Sequence, residues 1–209
     1  MRPLLDEAEA RALGSLIEKD MSTPDYYPLS LNALINACNQ KSNRDPVMHL
    51  DEDAVGRALD GLRDKELVRV TTEGRVPKYA HRASETLSLG NRELAILCVL
   101  LLRGQQTVGE LRGRAQGLYS FDDLEAVEAC LRRLMERAEP LVKKLPRQTG
   151  LKEPRYAHLL SGDVEAMENV PEVAAPQPSD RERIARLEAE VEDLKRQLAE
   201  LQKQSLSRE

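Results

Sequence analysis

The feature that most constrains the fold of this chain is an internal repeat. Residues 77–81 (PKYAH) and 154–158 (PRYAH) are nearly identical and lie 77 positions apart. Each copy ends a longer segment in which helical spacing of apolar residues gives way to short extended stretches. Because self-similarity at a fixed offset indicates repeated structural units, the first 160 residues are expected to form two copies of one small unit.

Each copy is predicted to contain three helices followed by a two-stranded hairpin. In the first copy, apolar spacing indicates helices over residues 5–21, from the N-cap Ser30 and after Asp51, and then strands over 67–70 and 78–81. In the second copy, the corresponding helices are residues 91–103, a short helix from Thr107 and residues 122–137, and the strands are 141–145 and 155–158.

This element order is that of the winged helix-turn-helix. The predicted fold class is therefore mainly α with small β-hairpin wings, arranged as two tandem winged-helix domains over residues 1–83 and 84–160. First helices align at an offset of 84 and third helices at an offset of 72, so the first copy holds 12 extra residues between them. The extra residues are where we expect a specialised function.

A different composition begins after residue 160. Residues 161–180 form a proline-containing acidic linker, and a C-terminal coiled coil is predicted over residues 181–206. Its a and d positions alternate at three and four residues: Ile184, Leu187, Val191, Leu194, Leu198 and Leu201. Flanking charges favour a parallel homodimer, and the alternative is a helix that folds back on the winged domains.

Several classes of protein are excluded by composition. The longest apolar run, residues 94–102, has nine residues, far short of the roughly 20 that cross a bilayer, and acidic residues arrive early at the N-terminus. We expect no membrane association and a cytoplasmic location. Only six aromatic residues are present, which disfavours single-stranded nucleic acid as a partner.

The sequence offers no candidate for catalysis, a metal site or a cofactor. Cys38, Cys98 and Cys130 are far apart and are expected in the core. His81 and His158 occupy the same repeat position, which favours a shared structural role. Acidic residues that begin the third helices are expected to stabilise the helix dipole. We therefore predict that the protein is not an enzyme.

The charge distribution favours nucleic-acid binding by the second copy. Residues 1–83 hold 12 basic and 14 acidic side chains, residues 84–160 hold 12 and 10, and residues 161–209 hold 7 and 12, which gives the total of −5. The basic excess lies mainly in the second wing, whose candidate phosphate contacts are Lys143, Lys144, Arg147, Lys152 and Arg155. The alternative is an ordinary solvated hairpin, and the acidic third helices oppose DNA reading.

A second candidate site lies in the extra residues of the first copy. Amide and basic side chains that suit adenine edges and phosphates follow each other closely there: Asn39, Gln40, Lys41, Asn43 and Arg44. Equally, Asn39 terminates the second helix and the Asp45-Pro46 pair makes a turn, with the polar side chains bonding nearby backbone.

Residues 23–34 (TPDYYPLSLNAL) and 38–48 (CNQKSNRDPVM), with the two wing ends, resemble the YceH-like family of uncharacterised bacterial proteins over about residues 4–160. The resemblance implies a tandem winged-helix fold and no particular activity. Our leading hypothesis from the sequence is a dimeric regulator or nucleoid-associated factor that binds double-stranded DNA. The alternative is a winged-helix protein-interaction module in an assembly, without direct DNA binding.

Overall fold

A computed structural model describes residues 3–72, 76–147 and 153–163. The first repeat comprises helix α1 (Glu7–Ser22), a 3-10 turn (Pro24–Tyr26), strand β1 (Leu29–Ser30), helices α2 (Leu31–Cys38) and α3 (Glu52–Asp64), and strands β2 (Val68–Thr71) and β3 (Lys78–His81). Helix α4 (Ala83–Thr86) leads to the second repeat: helices α5 (Asn91–Arg103), α6 (Val108–Ala115) and α7 (Leu124–Met135), and strands β4 (Val142–Lys144) and β5 (Tyr156–His158). The described chain is mainly helical with small antiparallel sheets, as predicted.

The two sheets follow the same plan. Strand β3 pairs with β2 and also with β1, where Leu29 lies opposite Tyr79. Strands β4 and β5 pair with Val142 opposite His158, and Gln106 forms an isolated bridge with Tyr156. Leu29 and Gln106 lie 77 positions apart, as do Tyr79 and Tyr156. The bridge is therefore the second repeat's counterpart of the β1–β3 pairing, which the sequence pattern did not reveal.

Side-chain caps set where the helices begin. Helix α1 starts at Glu7 rather than residue 5 because Asp6 and Glu9 form a capping box. Ser30 caps α2 as predicted, and Thr107 caps α6. These two caps are 77 positions apart, so the second helices align at an offset of 77. The offset falls from 84 at the first helices to 77 at the second and 72 at the third. The 12 extra residues thus divide into seven before α2 and five after it.

Helices α1 and α5 form the centre of the hydrophobic core. Leu13 and Leu16 of α1 and Leu97 and Leu100 of α5 are fully buried. The Cys98 thiol donates a hydrogen bond of 3.4 Å to the carbonyl of Gly14, its own repeat counterpart at the offset of 84. The two repeats therefore meet through equivalent positions of their first helices, and both belong to one compact unit.

The remaining differences from the predicted elements are small. Helix α7 begins at Leu124 because Asp123 is its cap, and strands β4 and β5 are shorter than the predicted extended segments. Helix α4 and the two-residue β1 were not predicted, because neither is long enough to show a period. The predicted coiled coil and the predicted linker from residue 164 onward lie outside the described residues. The division into domains at residues 83 and 84 stays a prediction.

Candidate nucleic-acid interface

The loop that follows α2 is closed by its own first polar side chain. Asn39 ends α2, and its amide both donates to the carbonyl of Leu50 and accepts from the N–H of Leu50, each at 2.7 Å. This paired geometry fixes the two ends of the loop against each other. The Asn39 amide is thereby used within the protein, as in the turn interpretation of this segment.

Arg44 lies inside the protein, and its expected contact with phosphate needs correction. Its side chain is 0% exposed, and it pairs with Glu18 of α1 at 2.7 Å. It also donates to the carbonyl of Ala37 at 2.8 Å and to Gln40 Oε1 at 3.2 Å. A buried guanidinium persists only when its charge and donors are satisfied, and here the fold satisfies them. Arg44 holds the loop to α1.

The same loop also contacts the second repeat. The N–H of Asp45 donates to the carbonyl of Leu102 at 2.9 Å, which satisfies a carbonyl in the last turn of α5. The guanidinium of Arg103 donates to Oδ1 of Asn43. We call residues 39–46 the clasp, because this segment joins the two repeats. Lys41 is the basic member of the clasp whose side chain is exposed.

The predicted basic residues of the second wing are placed differently from one another. Lys144 and Arg147 are exposed. Lys143 pairs with Asp163 at 2.7 Å, and Arg155 pairs with Glu110 at 3.1 Å. The Lys143 pair is exposed, and such pairs contribute only about 0–1 kcal/mol, so a phosphate could replace Asp163. Lys152 lies outside the described residues.

Arg103 and Arg114 extend the positive charge of the wing onto α5 and α6. Arg114 contacts Glu110 at 3.5 Å, the same carboxylate that pairs with Arg155. Burial, and then the charge of Arg114, lower the pKa of Arg103. Burial alone would raise the pKa of Glu110, but the Thr107 N–H and the two guanidiniums lower it. We call Arg103, Arg114, Lys144 and Arg155 the basic ridge.

Sequence reasoning missed the helical half of the basic ridge. Arg103 occupies the repeat position of Lys19, 84 residues earlier, at the end of the first helix of each repeat. Cations there are favoured by the helix dipole, so the position alone carries no functional signal. The contact between Arg114, Glu110 and the wing arises only when the bridge between Gln106 and Tyr156 brings the start of α6 beside β5.

The acidic residues at the third helices and the cysteines behave as expected. Asp51 and Asp123 accept from the N–H groups of Ala54 and Ala126 at 2.8 and 2.7 Å, as N-caps. All three cysteines are free and buried, and burial raises the pKa of Cys130 to about 12.

Within the described ranges, no group of three or more His, Cys, Asp or Glu residues could hold a metal ion. No helix in the same ranges is long and apolar enough to cross a membrane.

Comparison with known proteins places the chain in a family. The profile of the family described as "Protein of unknown function, DUF480" matches residues 5–151. The chain belongs to this family. The chain is 59% identical over 194 residues to a UPF0502 protein of Solibacter usitatus, an alignment that covers 92% of this chain and 93% of the relative.

Two further relatives agree with this placement. A UPF0502 protein of Pelobacter propionicus is 55% identical over 209 residues, with coverage of 97% and 95%, and one of Geobacter sulfurreducens is 56% identical over 200 residues, with coverage of 93% and 91%. The expectation of an uncharacterised bacterial family is confirmed. These names assign no substrate, partner or activity, so the function of a DUF480 protein has to be argued from its surface.

Proposed function

We propose that this DUF480 protein is a cytoplasmic tandem winged-helix protein that binds double-stranded DNA through the basic ridge and the second wing, as a dimer held by its C-terminal coiled coil. The repeated order of three helices and a hairpin supports the winged-helix assignment. The bridge of Gln106 to Tyr156 supports it further, because each repeat then has a residue before its second helix that pairs with the second strand of its wing, β3 or β5.

The observation that carries the proposal is the convergence of three guanidiniums beside the second wing. Arg114 and Arg155 share the single carboxylate of Glu110, and Arg103 lies close enough to Arg114 for their charges to interact. Lys144 lies opposite Tyr156 in the wing. Tyr156 directly follows Arg155 in the sequence, so Lys144 and Arg155 are close neighbours on the hairpin. Such a row of cations suits a phosphate backbone, which is contacted without regard to sequence.

The clasp contributes less to this interface than the sequence indicated. Asn39, Gln40, Asn43 and Arg44 bond within the protein, so we retain Lys41 as its candidate phosphate contact. The proposal therefore describes backbone binding of modest sequence preference. This fits a nucleoid-associated factor better than a regulator that reads one operator, because base-edge contacts confer sequence selectivity.

The test is fluorescence anisotropy of purified full-length protein with a labelled duplex across a range of salt concentrations. Replacing Arg114, Lys143 and Lys144 with Gln should weaken binding and reduce the slope of log affinity against log salt by about 0.9 for each phosphate that is no longer neutralised. The matched control replaces Arg57, Arg63 and Lys78 of the first repeat with Gln, which removes the same charge and should leave the slope unchanged.

Two results would overturn this function. Absence of duplex binding at low salt would leave the protein-interaction alternative, which the exposed acidic face of α3, including Glu52, Asp53 and Asp64, favours. Equal weakening in the two triple variants would show that binding follows total charge rather than the basic ridge.

A further inference from the structure

A second site is indicated by a cavity of about 450 Å³ between the two repeats. The first repeat contributes Arg11 of α1 and Asp45 of the clasp to its lining, and the second contributes Gly104 after α5 and His158 of β5. The volume falls within the range of about 300–1,000 Å³ that is usual for small-molecule sites. The cavity is distinct from the basic ridge.

Arg11 brings a buried positive charge to this cavity. The residue is only 3% exposed, and its two terminal nitrogens donate to the carbonyls of Cys38 at 3.2 Å and Pro46 at 2.6 Å. Its Nε has no hydrogen-bond partner, and the carboxylates of Glu7 and Asp45, although they attract its charge, form no ion pair with it. A buried guanidinium in that condition carries a large desolvation cost that an anionic ligand would offset.

His158 brings a second unsatisfied group. Its Nδ1 is buried without a partner among the described residues, and burial lowers the pKa of the ring to about 4. The equivalent His81 is fully engaged: Nε2 lies 3.0 Å from Asp20, and Nδ1 accepts from the N–H of Ala83 at 3.3 Å. At the offset of 84, the counterpart of Asp20 is Gly104. The second repeat thus lacks the carboxylate that pairs with Nε2 of the first histidine, and Nδ1 of His158 also lacks the backbone donor that Ala83 supplies to His81.

The rest of the lining defines the other features of the ligand. Glu7 and Asp45 are exposed carboxylates that form no ion pair with any described residue, so a simple organic anion would be repelled. Leu100, Leu101 and Met48 supply apolar surface. We propose that the cavity binds a small zwitterion of the α-amino-acid class with an apolar side chain. Its carboxylate lies against Arg11 and the ring of His158, and its ammonium group donates to Asp45 or Glu7.

The ligand class can be tested on the unaltered protein by isothermal titration calorimetry. The probes are L-leucine, L-methionine and L-phenylalanine, compared with 4-methylpentanoate, which lacks the ammonium group, and leucinamide, which lacks the carboxylate. At least one amino acid should bind, and each truncated analogue should bind about tenfold or more weakly, a loss of about 1.4 kcal/mol. No heat from any amino acid at about 10 mM, where even millimolar affinity would register, would overturn the proposal.

Variants then assign the two halves of the site. His158→Leu should weaken amino-acid binding about tenfold or more, whereas the exposed His49→Leu should not change it. The double variant Glu7→Gln/Asp45→Asn should abolish the preference for leucine over 4-methylpentanoate, whereas Asp53→Asn on α3 should preserve it. Equal binding of leucine and 4-methylpentanoate by the unaltered protein would contradict the zwitterion and is measurable even if a variant fails to fold.

Discussion

The two repeats place the same Tyr-Ala-His sequence at the end of a wing but surround its histidine differently. His81 bonds to Asp20 and to the backbone of Ala83, while the Nδ1 of His158 is buried without a partner among the described residues. The shared structural role expected from the repeat stays a prediction, but the hydrogen-bond partners of the two rings differ. The comparison teaches that a repeated motif can have its histidine fully hydrogen-bonded in one copy and incompletely hydrogen-bonded in the other, where the histidine lines a cavity.

The extra residues of the first repeat make a second difference between the two copies. The clasp buries Arg44 against Glu18 and reaches the last turn of α5 through Asp45, whereas the shorter connection in the second repeat offers no equivalent segment. The first repeat thus uses its additional polar residues to hold the second. This is why side chains that suit nucleic-acid recognition in the sequence have a structural role in the fold.

Removing the clasp's arginine should give the largest effect. Arg44→Met leaves the Glu18 carboxylate, whose side chain is 11% exposed, without its close partner and the Ala37 carbonyl without a donor. Breaking a buried pair from one side costs about 3–5 kcal/mol, so the free energy of unfolding in urea should fall by that amount.

The control for this prediction is Lys41→Met in the same loop. Lys41 is exposed, and such surface changes stay within about 0.5 kcal/mol. If Arg44→Met unfolded like the unaltered protein and yet had a weaker affinity for duplex DNA, Arg44 would belong to the DNA interface and the clasp would be misassigned.

The two histidines should differ in how they affect stability at acid pH. The unfolded chain protonates His158 near pH 6.5, while the folded protein, in which the pKa is about 4, does not. The stability that the neutral ring of His158 contributes is therefore complete above pH 6.5 and is lost as pH falls from 6.5 toward 4. Between pH 7 and pH 4.5 the expected loss is about 2 kcal/mol, from 1.36 kcal/mol per pKa unit.

Urea unfolding of His158→Leu at both pH values should show a correspondingly smaller loss than the unaltered protein. His81→Leu should remove less of the pH dependence, because burial lowers the pKa of His81 but Asp20 opposes that shift. Equal effects of the two substitutions would mean that the ring of His158 has a partner in solution.

The elements of the fold followed from the sequence because periodicity and caps are local. Asn91–Arg103 and Lys78–His81 have the predicted bounds, and Ser30 and Thr107 begin their helices as N-caps. Strand β1 could not be predicted, since two residues have no period and its pairing with β3 joins positions about 50 apart in the chain.

The candidate site was less predictable because the sequence does not show which charged side chains are buried in ion pairs and which remain exposed. Arg44 and Lys41 look alike as cations beside amides, yet one is buried and one is exposed. The cavity could not be predicted either. Gly104 stands where the first repeat has the carboxylate of Asp20, and this difference matters only because the fold places Gly104 beside His158 in the cavity.

The smallest expected effects concern two glycines that each lie in the interior of a helix. A Cβ at Gly14 of α1 would lie 2.9 Å from Cγ of Leu102 and 3.1 Å from Cβ of Leu101, where the two repeats meet. A Cβ at Gly56 of α3 would meet nothing within 4 Å. Alanine generally stabilises a helix interior relative to glycine by about 0.5–1 kcal/mol, so Gly56→Ala should stabilise the protein by that amount.

Gly14→Ala gains the same helix propensity but has to push α5 away, and overpacking a core costs about 1–3 kcal/mol. We therefore expect a net destabilisation of about 1 kcal/mol, measured as a lower urea midpoint, against a raised midpoint for Gly56→Ala. Stabilisation by both substitutions would show that α1 and α5 can separate without cost. The close contact between the repeats would then not be what determines their arrangement, and the clasp would be the main connection between them.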